Sequence, residues 1–90
     1  MAYPVLRVHI TSDFVKSFSK LSVSIQRLAA KKDKWFMSDA FDKRLDTHKL
    51  KGKLKGYLSY SVNRKYRIIF RFIGSNEVIY YDIGTHDIYK

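Results

Sequence analysis

From Tyr57 to Ile83 the apolar residues of this chain recur at every second position, and that run limits the architecture more than any other feature. Three segments carry the alternation, Tyr57 to Asn63, Tyr66 to Ile73 and Glu77 to Ile83. The turns between them, Asn63-Arg64-Lys65 and Gly74-Ser75-Asn76, are short. Strands so closely spaced predict an antiparallel meander. In the middle segment Tyr66, Ile68, Phe70 and Phe72 share one face, and Arg67, Ile69, Arg71 and Ile73 share the other. The first face needs an apolar cover. The second carries two arginines and belongs to solvent or to a ligand.

The cover is found upstream. Phe14, Phe18, Leu21, Ile25 and Leu28 recur at steps of four and three, which is one face of a helix. Thr11 or Ser12 with Asp13 is a start signal. Leu21-Ser22-Val23-Ser24 then interrupts the pattern with weak helix formers and possible N-cap serines. Two helices over 12–20 and 23–37, forming a hairpin, are predicted, and one continuous helix is the alternative. Ile25, Leu28, Ala29 and Phe36 keep the stripe, with Trp35 beside it. Residues 3–10 are rich in β-branched and aromatic types and read as a first strand, with Pro4 near its start as suits a strand end or edge. Residues 38–56 have no sustained period and read as a connecting loop with at most a short extended piece. The tail from Gly84 to Lys90 is too short to assign. The predicted order is β-α-α-β-β-β, an α+β fold in which a helical hairpin packs on one face of a small antiparallel sheet. At 90 residues the chain is expected to form one domain over 1–90.

Composition removes several function classes. A chain 46% apolar and 16% aromatic is too apolar for disorder. The absence of cysteine excludes a disulfide scaffold and a Cys-based zinc site, and fits a reducing compartment. No apolar run approaches the ~20 residues that cross a bilayer. The N-terminus lacks the charged and apolar segments of a signal peptide. A cytoplasmic protein is expected. The net charge of +10 is concentrated: residues 43–71 hold ten Lys and Arg against the single acid Asp46, so +9 resides there. A localised positive field attracts polyanions and speeds encounter. Nucleic acid is the expected partner, with a solvated basic face as the plain alternative.

Little of the usual catalytic apparatus is visible. His9, His48 and His86 are far apart in sequence, without metal-ligand spacing. Gly52-Lys-Leu-Lys-Gly56 lacks the Lys-Ser/Thr of a nucleotide-binding loop and precedes a strand rather than a helix. Neither paired carboxylates nor a nucleophile elbow can be found. No metal and no cofactor are expected. The remaining set, His, Arg, Lys and Tyr around a sheet, suits RNA cleavage without a metal. In that reaction the 2′-hydroxyl attacks the neighbouring phosphorus, a base takes its proton, and an acid protonates the leaving 5′ oxygen. Cations stabilise the charge developing on the phosphate, and DNA lacks the attacking group.

His86, just past the last strand and flanked by Asp87 and Tyr89, is the first candidate; an ordinary exposed tail histidine is the alternative. His48, at the entrance of the basic loop, is the second, with an exposed loop histidine as its alternative. His9 reads as structural or exposed. Arg67 and Arg71 share the polar face of the central strand, where a guanidinium is well placed for a phosphate; the competing reading is a cross-strand ion pair, for instance with Asp82. Lys49, Lys51, Lys53 and Lys55 alternate with Leu50, Gly52 and Leu54 and look like a phosphate-tracking rim.

The segment His48-Lys-Leu-Lys-Gly-Lys-Leu-Lys-Gly-Tyr-Leu-Ser-Tyr-Ser-Val-Asn-Arg-Lys-Tyr-Arg-Ile-Ile-Phe resembles the RelE/ParE superfamily of bacterial toxins. So do the closing Val78-Ile-Tyr-Tyr-Asp-Ile-Gly-Thr-His-Asp-Ile-Tyr89 and the helical entry Phe14-x-x-x-Phe18-x-x-Leu21. The likeness is sharpest to the YafQ and RelE-type mRNA interferases of type II toxin–antitoxin systems. It implies a RelE-like fold, metal-free cleavage of mRNA on the translating ribosome, and a cognate antitoxin that wraps the toxin. It implies catalytic roles for Arg67, which matches the arginine of the Tyr-Arg element, and for His48 and His86, which match histidines of the YafQ branch. Tyr89 matches the aromatic that closes the site. Lys49, Lys51, Lys53, Lys55, Arg64, Lys65 and Arg71 would bind RNA. Ser61 and Lys65 stand near the places of a further histidine and an aspartate of the YafQ branch, and Leu58 and Tyr60 where RelE members carry lysines. ParE-like relatives poison DNA gyrase, so a gyrase inhibitor and a catalytically weak RNA-binding protein are the alternatives.

Overall fold

Thr11 and Ser22 decide how the helical region divides. Each stands in extended backbone, and each hydroxyl accepts from a backbone N–H three residues on, Phe14 at 3.0 Å and Ile25 at 3.3 Å. These two N-caps start helix α1, Ser12–Ser19, and helix α2, Val23–Ser38. The side-chain amide of Gln26 donates to the Phe18 carbonyl at 2.9 Å and fastens the corner between them. The helical hairpin is therefore present, and the single continuous helix is not. The computed structural model describes residues 2–85.

Five strands follow the order β1-β5-β4-β3-β2, with β1 at Arg7–Ile10, β2 at His48–Lys49, β3 at Leu58–Ser61, β4 at Arg67–Gly74 and β5 at Glu77–Gly84. Strands β3, β4 and β5 form the predicted meander. The sheet is mostly rather than wholly antiparallel, because β1 pairs with β5 in parallel. Three antiparallel reversals from β2 bring the chain back beside β1, and on that flank β5 runs in the same direction. The first strand is shorter than predicted. Pro4 has no N–H to give a ladder, and the end of α2 takes the neighbouring backbone groups: Val5 N–H donates to Met37 O and Ala40 N–H to Tyr3 O, both at 2.9 Å. The loop over 38–56 contains two 3-10 turns, Lys43–Leu45 and Gly52–Leu54, besides β2.

The core lies between the helices and one sheet face. Phe36 of α2 is fully buried, stacks on Tyr60 with centroids 4.6 Å apart and meets Phe70 edge-on at 4.7 Å. The buried hydroxyls are satisfied in series: Tyr80 donates to Asp33 Oδ1 at 2.6 Å, and the Tyr60 and Tyr80 oxygens lie 2.9 Å apart.

The arginine face departs from expectation in its middle. Ile69 and its β3 partner Ser59 are 0% exposed, so only Arg71 and Ile73 are openly solvated there. Ile69 pairs with Asp82 but Phe70 pairs with Tyr80, so Tyr81 is an extra residue in β5. This bulge returns Ile83 to the core face after Tyr80. Among the described residues no helix is long and apolar enough to cross a membrane.

Candidate active site on the arginine face of the sheet

Cross-strand partners in an antiparallel pair project to the same face. His48 pairs with Ser59, Ser59 with Ile69, and Ser61 with Arg67. His48, Ser59, Ser61, Ile69 and Arg67 therefore share the face away from the helices. Two strand spacings separate β2 from β4, roughly 10 Å, which leaves room for a phosphodiester between imidazole and guanidinium.

Arg67 is held in place from several sides. Its side chain is 15% exposed, Nη1 donates to Ser61 Oγ at 2.9 Å, and Asp46 Oδ2 lies 3.9 Å from the same nitrogen. Its Nε–H is buried and meets no acceptor among the described residues. A guanidinium held in place in this way, with one donor unsatisfied, has the chemistry to bind an anion through its outer nitrogens. The ion pair considered with Asp82 is not formed; Asp82 Oδ1 accepts from the backbone N–H of Ile83 at 2.8 Å.

Asp46 connects the two candidates. Its backbone is left-handed, φ 50° and ψ 45°, a conformation Asp tolerates better than most residues. Fully buried Leu45 and the Thr47 hydroxyl, bonded to the Ala40 carbonyl at 2.7 Å, anchor it on both sides. That turn directs the Asp46 carboxylate toward Arg67 and its carbonyl toward His48 Nδ1, 2.9 Å away. A carbonyl only accepts, so Nδ1 carries a proton, and in the neutral tautomer this leaves the lone pair on Nε2. Nothing in the sequence pattern singles out Asp46 or Ser61 for these roles; only their spatial neighbours do.

The remaining candidates divide into groups. Arg71 lies over the Tyr57 ring at 5.8 Å, and Tyr57 packs on Tyr81 at 5.2 Å, which adds an aromatic pair that the sequence did not single out. Lys49, Lys51 and Lys55 line a cleft of about 510 Å³ with Tyr57, while Lys53 stands outside it. The lysine run is not a straight alternating rim, because Gly52 at φ +69° and Gly56 at φ +96° coil the chain. Arg64 lines a separate cleft with Arg67 and Asp46 at the end of the sheet. Lys65 turns over the Tyr66 ring, 5.9 Å away. His9 sits on β1 at the opposite edge, exposed and paired with Glu77. His86 and Tyr89 lie outside the described residues. Among the described residues no group of three His, Cys, Asp or Glu side chains could hold a metal ion.

The fold has clear relatives among solved structures. A YoeB/ParE toxin from Agrobacterium tumefaciens superposes with a TM-score of 0.75 at 13% identity, over 90% of this chain and 99% of that one. The toxin–antitoxin complex RelBE2 from Mycobacterium tuberculosis gives 0.75 at 17% identity, over 96% and 94%. YafQ from E. coli gives 0.65 at 17% identity, over 90% and 93%. At such identities the likeness establishes the RelE-like α+β fold. No curated protein sequence is significantly similar to the chain. Residues 10–86 match the HigB-like toxin family, described as the RelE-like toxin of the type II toxin–antitoxin system HigB. That match spans most of the chain, both helices and the whole arginine face, and the protein belongs to the HigB-like family of RelE-type toxins.

Proposed function

We propose that this toxin is an endoribonuclease that cuts mRNA on the translating ribosome, in the cytoplasm, and that a cognate antitoxin holds it inactive. The observation that carries the reading is the shared face of His48 and Arg67, joined through Asp46, with the Arg67 Nε–H lacking an acceptor among the described residues. His48 Nε2 takes the 2′-hydroxyl proton as the 2′ oxygen attacks the adjacent phosphorus. Arg67 stabilises the charge gathered on the non-bridging oxygens. The 5′ oxygen leaves with a proton from a second acid, for which the family resemblance offers His86, with Tyr89 closing the site. The products are a 2′,3′-cyclic phosphate and a 5′-hydroxyl. Lys49, Lys51, Lys55 and Arg71, with Tyr57 as a stacking ring, hold the strand, and Lys53, Arg64 and Lys65 extend the positive field. Two neighbours with this fold are toxin–antitoxin complexes, which supports an antitoxin partner.

Primer extension on programmed ribosomes tests the reading. Wild type is expected to cut the message, and His48→Ala, His86→Ala and Arg67→Ala to lower the rate about 100-fold or more. Intact message at high protein concentration would overturn it, and accompanying DNA damage would point to gyrase instead. If all three variants cut at the wild-type rate, the site assignment is wrong.

A further inference from the structure

Beyond Arg67 the sheet ends in a second cleft of about 350 Å³, between α2, the first 3-10 turn and the β3–β4 turn. Its walls carry Lys32, Arg44, Arg64 and Arg67 against one carboxylate, Asp46. Neither Lys32 nor Arg44 contributes to the site above, and both rest on Trp35. Lys32 Nζ lies 4.0 Å from the ring centroid and Arg44 Cζ lies 3.6 Å from it. A cation on an indole is oriented and partly stripped of water. Arg44 is held further by Asp42, with Nη2 to Oδ2 at 2.8 Å and Nε to Oδ1 at 3.1 Å. Against the four cations stand two carboxylates, Asp46 in the wall and Asp42 on Arg44, and the positive excess that remains favours an anion in the cleft. Guanidinium groups match phosphate in shape as well as charge.

We propose that this cleft seats the backbone phosphate next to the scissile one, with Lys32 and Arg44 as its donors and Trp35 positioning both. The inference rests on the RNA-cleaving reading, since Arg67 lines the cleft and also faces His48's side of the sheet. A strand whose scissile phosphate meets Arg67 runs on over the sheet end to Lys32 and Arg44.

Trp35 is the only tryptophan, so its emission reports on the cleft. Wild type, Arg67→Gln and the double variant Lys32→Gln/Arg44→Gln are titrated with a single-stranded RNA octamer made uncuttable by 2′-deoxy substitution, at several salt concentrations. Trp35 fluorescence and the anisotropy of the labelled RNA are followed together, and cleavage of message is assayed alongside. In wild type, Trp35 emission is expected to change over the same RNA range as the anisotropy. The double variant is expected to bind more weakly, with a log K against log salt slope shallower by roughly 0.7, the share of one phosphate. Asp42→Asn keeps the Oδ1 acceptor that caps Arg44 N–H but removes the competing charge, and is expected to bind more tightly than wild type. Unchanged affinity and slope in the double variant, while Arg67→Gln loses binding, would overturn the proposal and leave the nuclease reading standing. A Trp35 response and the expected slope change in a protein that cuts no message would uphold the cleft as a seat for an RNA phosphate and overturn both the nuclease reading and the seat's place beside a scissile phosphate. No binding by wild type would overturn both.

Discussion

Tyr60 and Tyr80 show what burial does to single residues. Burial pushes both phenols well above the ordinary tyrosine value, and for Tyr80 the Tyr60 hydroxyl and the Asp33 carboxylate add to it. In the unfolded chain both ionise near pH 10. Above that pH the folded state therefore binds more protons than the unfolded one, and stability falls as pH rises. The fall is expected to reach about 1.4 kcal/mol per pH unit for each tyrosine. Urea unfolding at a series of alkaline pH values should show it, and Tyr80→Phe should remove about half of the slope. At neutral pH that variant should also be less stable by about 1–2 kcal/mol, because Asp33 loses its donor. Stability of Tyr80→Phe that is unchanged at pH 7 would show that Asp33 is satisfied by water instead.

At the scale of elements, the stretch around β2 departs most from its predicted form. It carries alternating Lys and apolar residues, yet its strand pairing with β3 is limited to His48 and Lys49, with Leu50 N–H donating to the Tyr57 carbonyl at 2.9 Å, and the chain then coils through Gly52–Leu54. Gly56 makes that path possible with φ +96°, and a Cβ there would meet nothing within 4 Å. The cost of Gly56→Ala is therefore one of backbone conformation alone, about 1–2 kcal/mol. Gly52 at φ +69° is within reach of asparagine. Gly52→Asn should keep most of the stability that Gly52→Ala loses, read as the shift in urea midpoint. Equal losses in the two would mean the turn does not need its left-handed residue. Helix boundaries were nearer to their predicted places, because the caps Thr11 and Ser22 act locally and are written in the sequence.

For the whole molecule the segregation of charge matters more than its total. Six of the ten cations in residues 43–71 line two clefts, Lys49, Lys51 and Lys55 in one and Arg44, Arg64 and Arg67 in the other. Replacing Lys49, Lys51 and Lys55 together with Gln should make the salt dependence of RNA binding shallower by roughly 2 in log–log slope, uniformly across RNA sequences. Lys53→Gln, which stands outside the cleft, should change it by less than any of those three does alone. A Lys53 effect as large as the others would show that the general field, rather than the cleft, binds the strand.

The sequence by itself determined the elements that rest on local physics. The period-two run specified the meander, and the three- and four-residue apolar steps with their caps specified the helical hairpin. Resemblance named Arg67 and His48 as site residues, but no local rule says that they share a face. Tertiary structure alone decided that, because a side chain's face on a sheet depends on register, and β2 is two residues in a loop without a period. The same holds for Asp46, whose left-handed turn serves both residues only once Leu45 is buried and Thr47 is tied to Ala40. It holds again for Ile69, placed on the polar face by alternation yet fully buried. Periodicity assigns a residue to a face; what covers that face, and which distant residues share it, follows from how the strands pair and the elements pack.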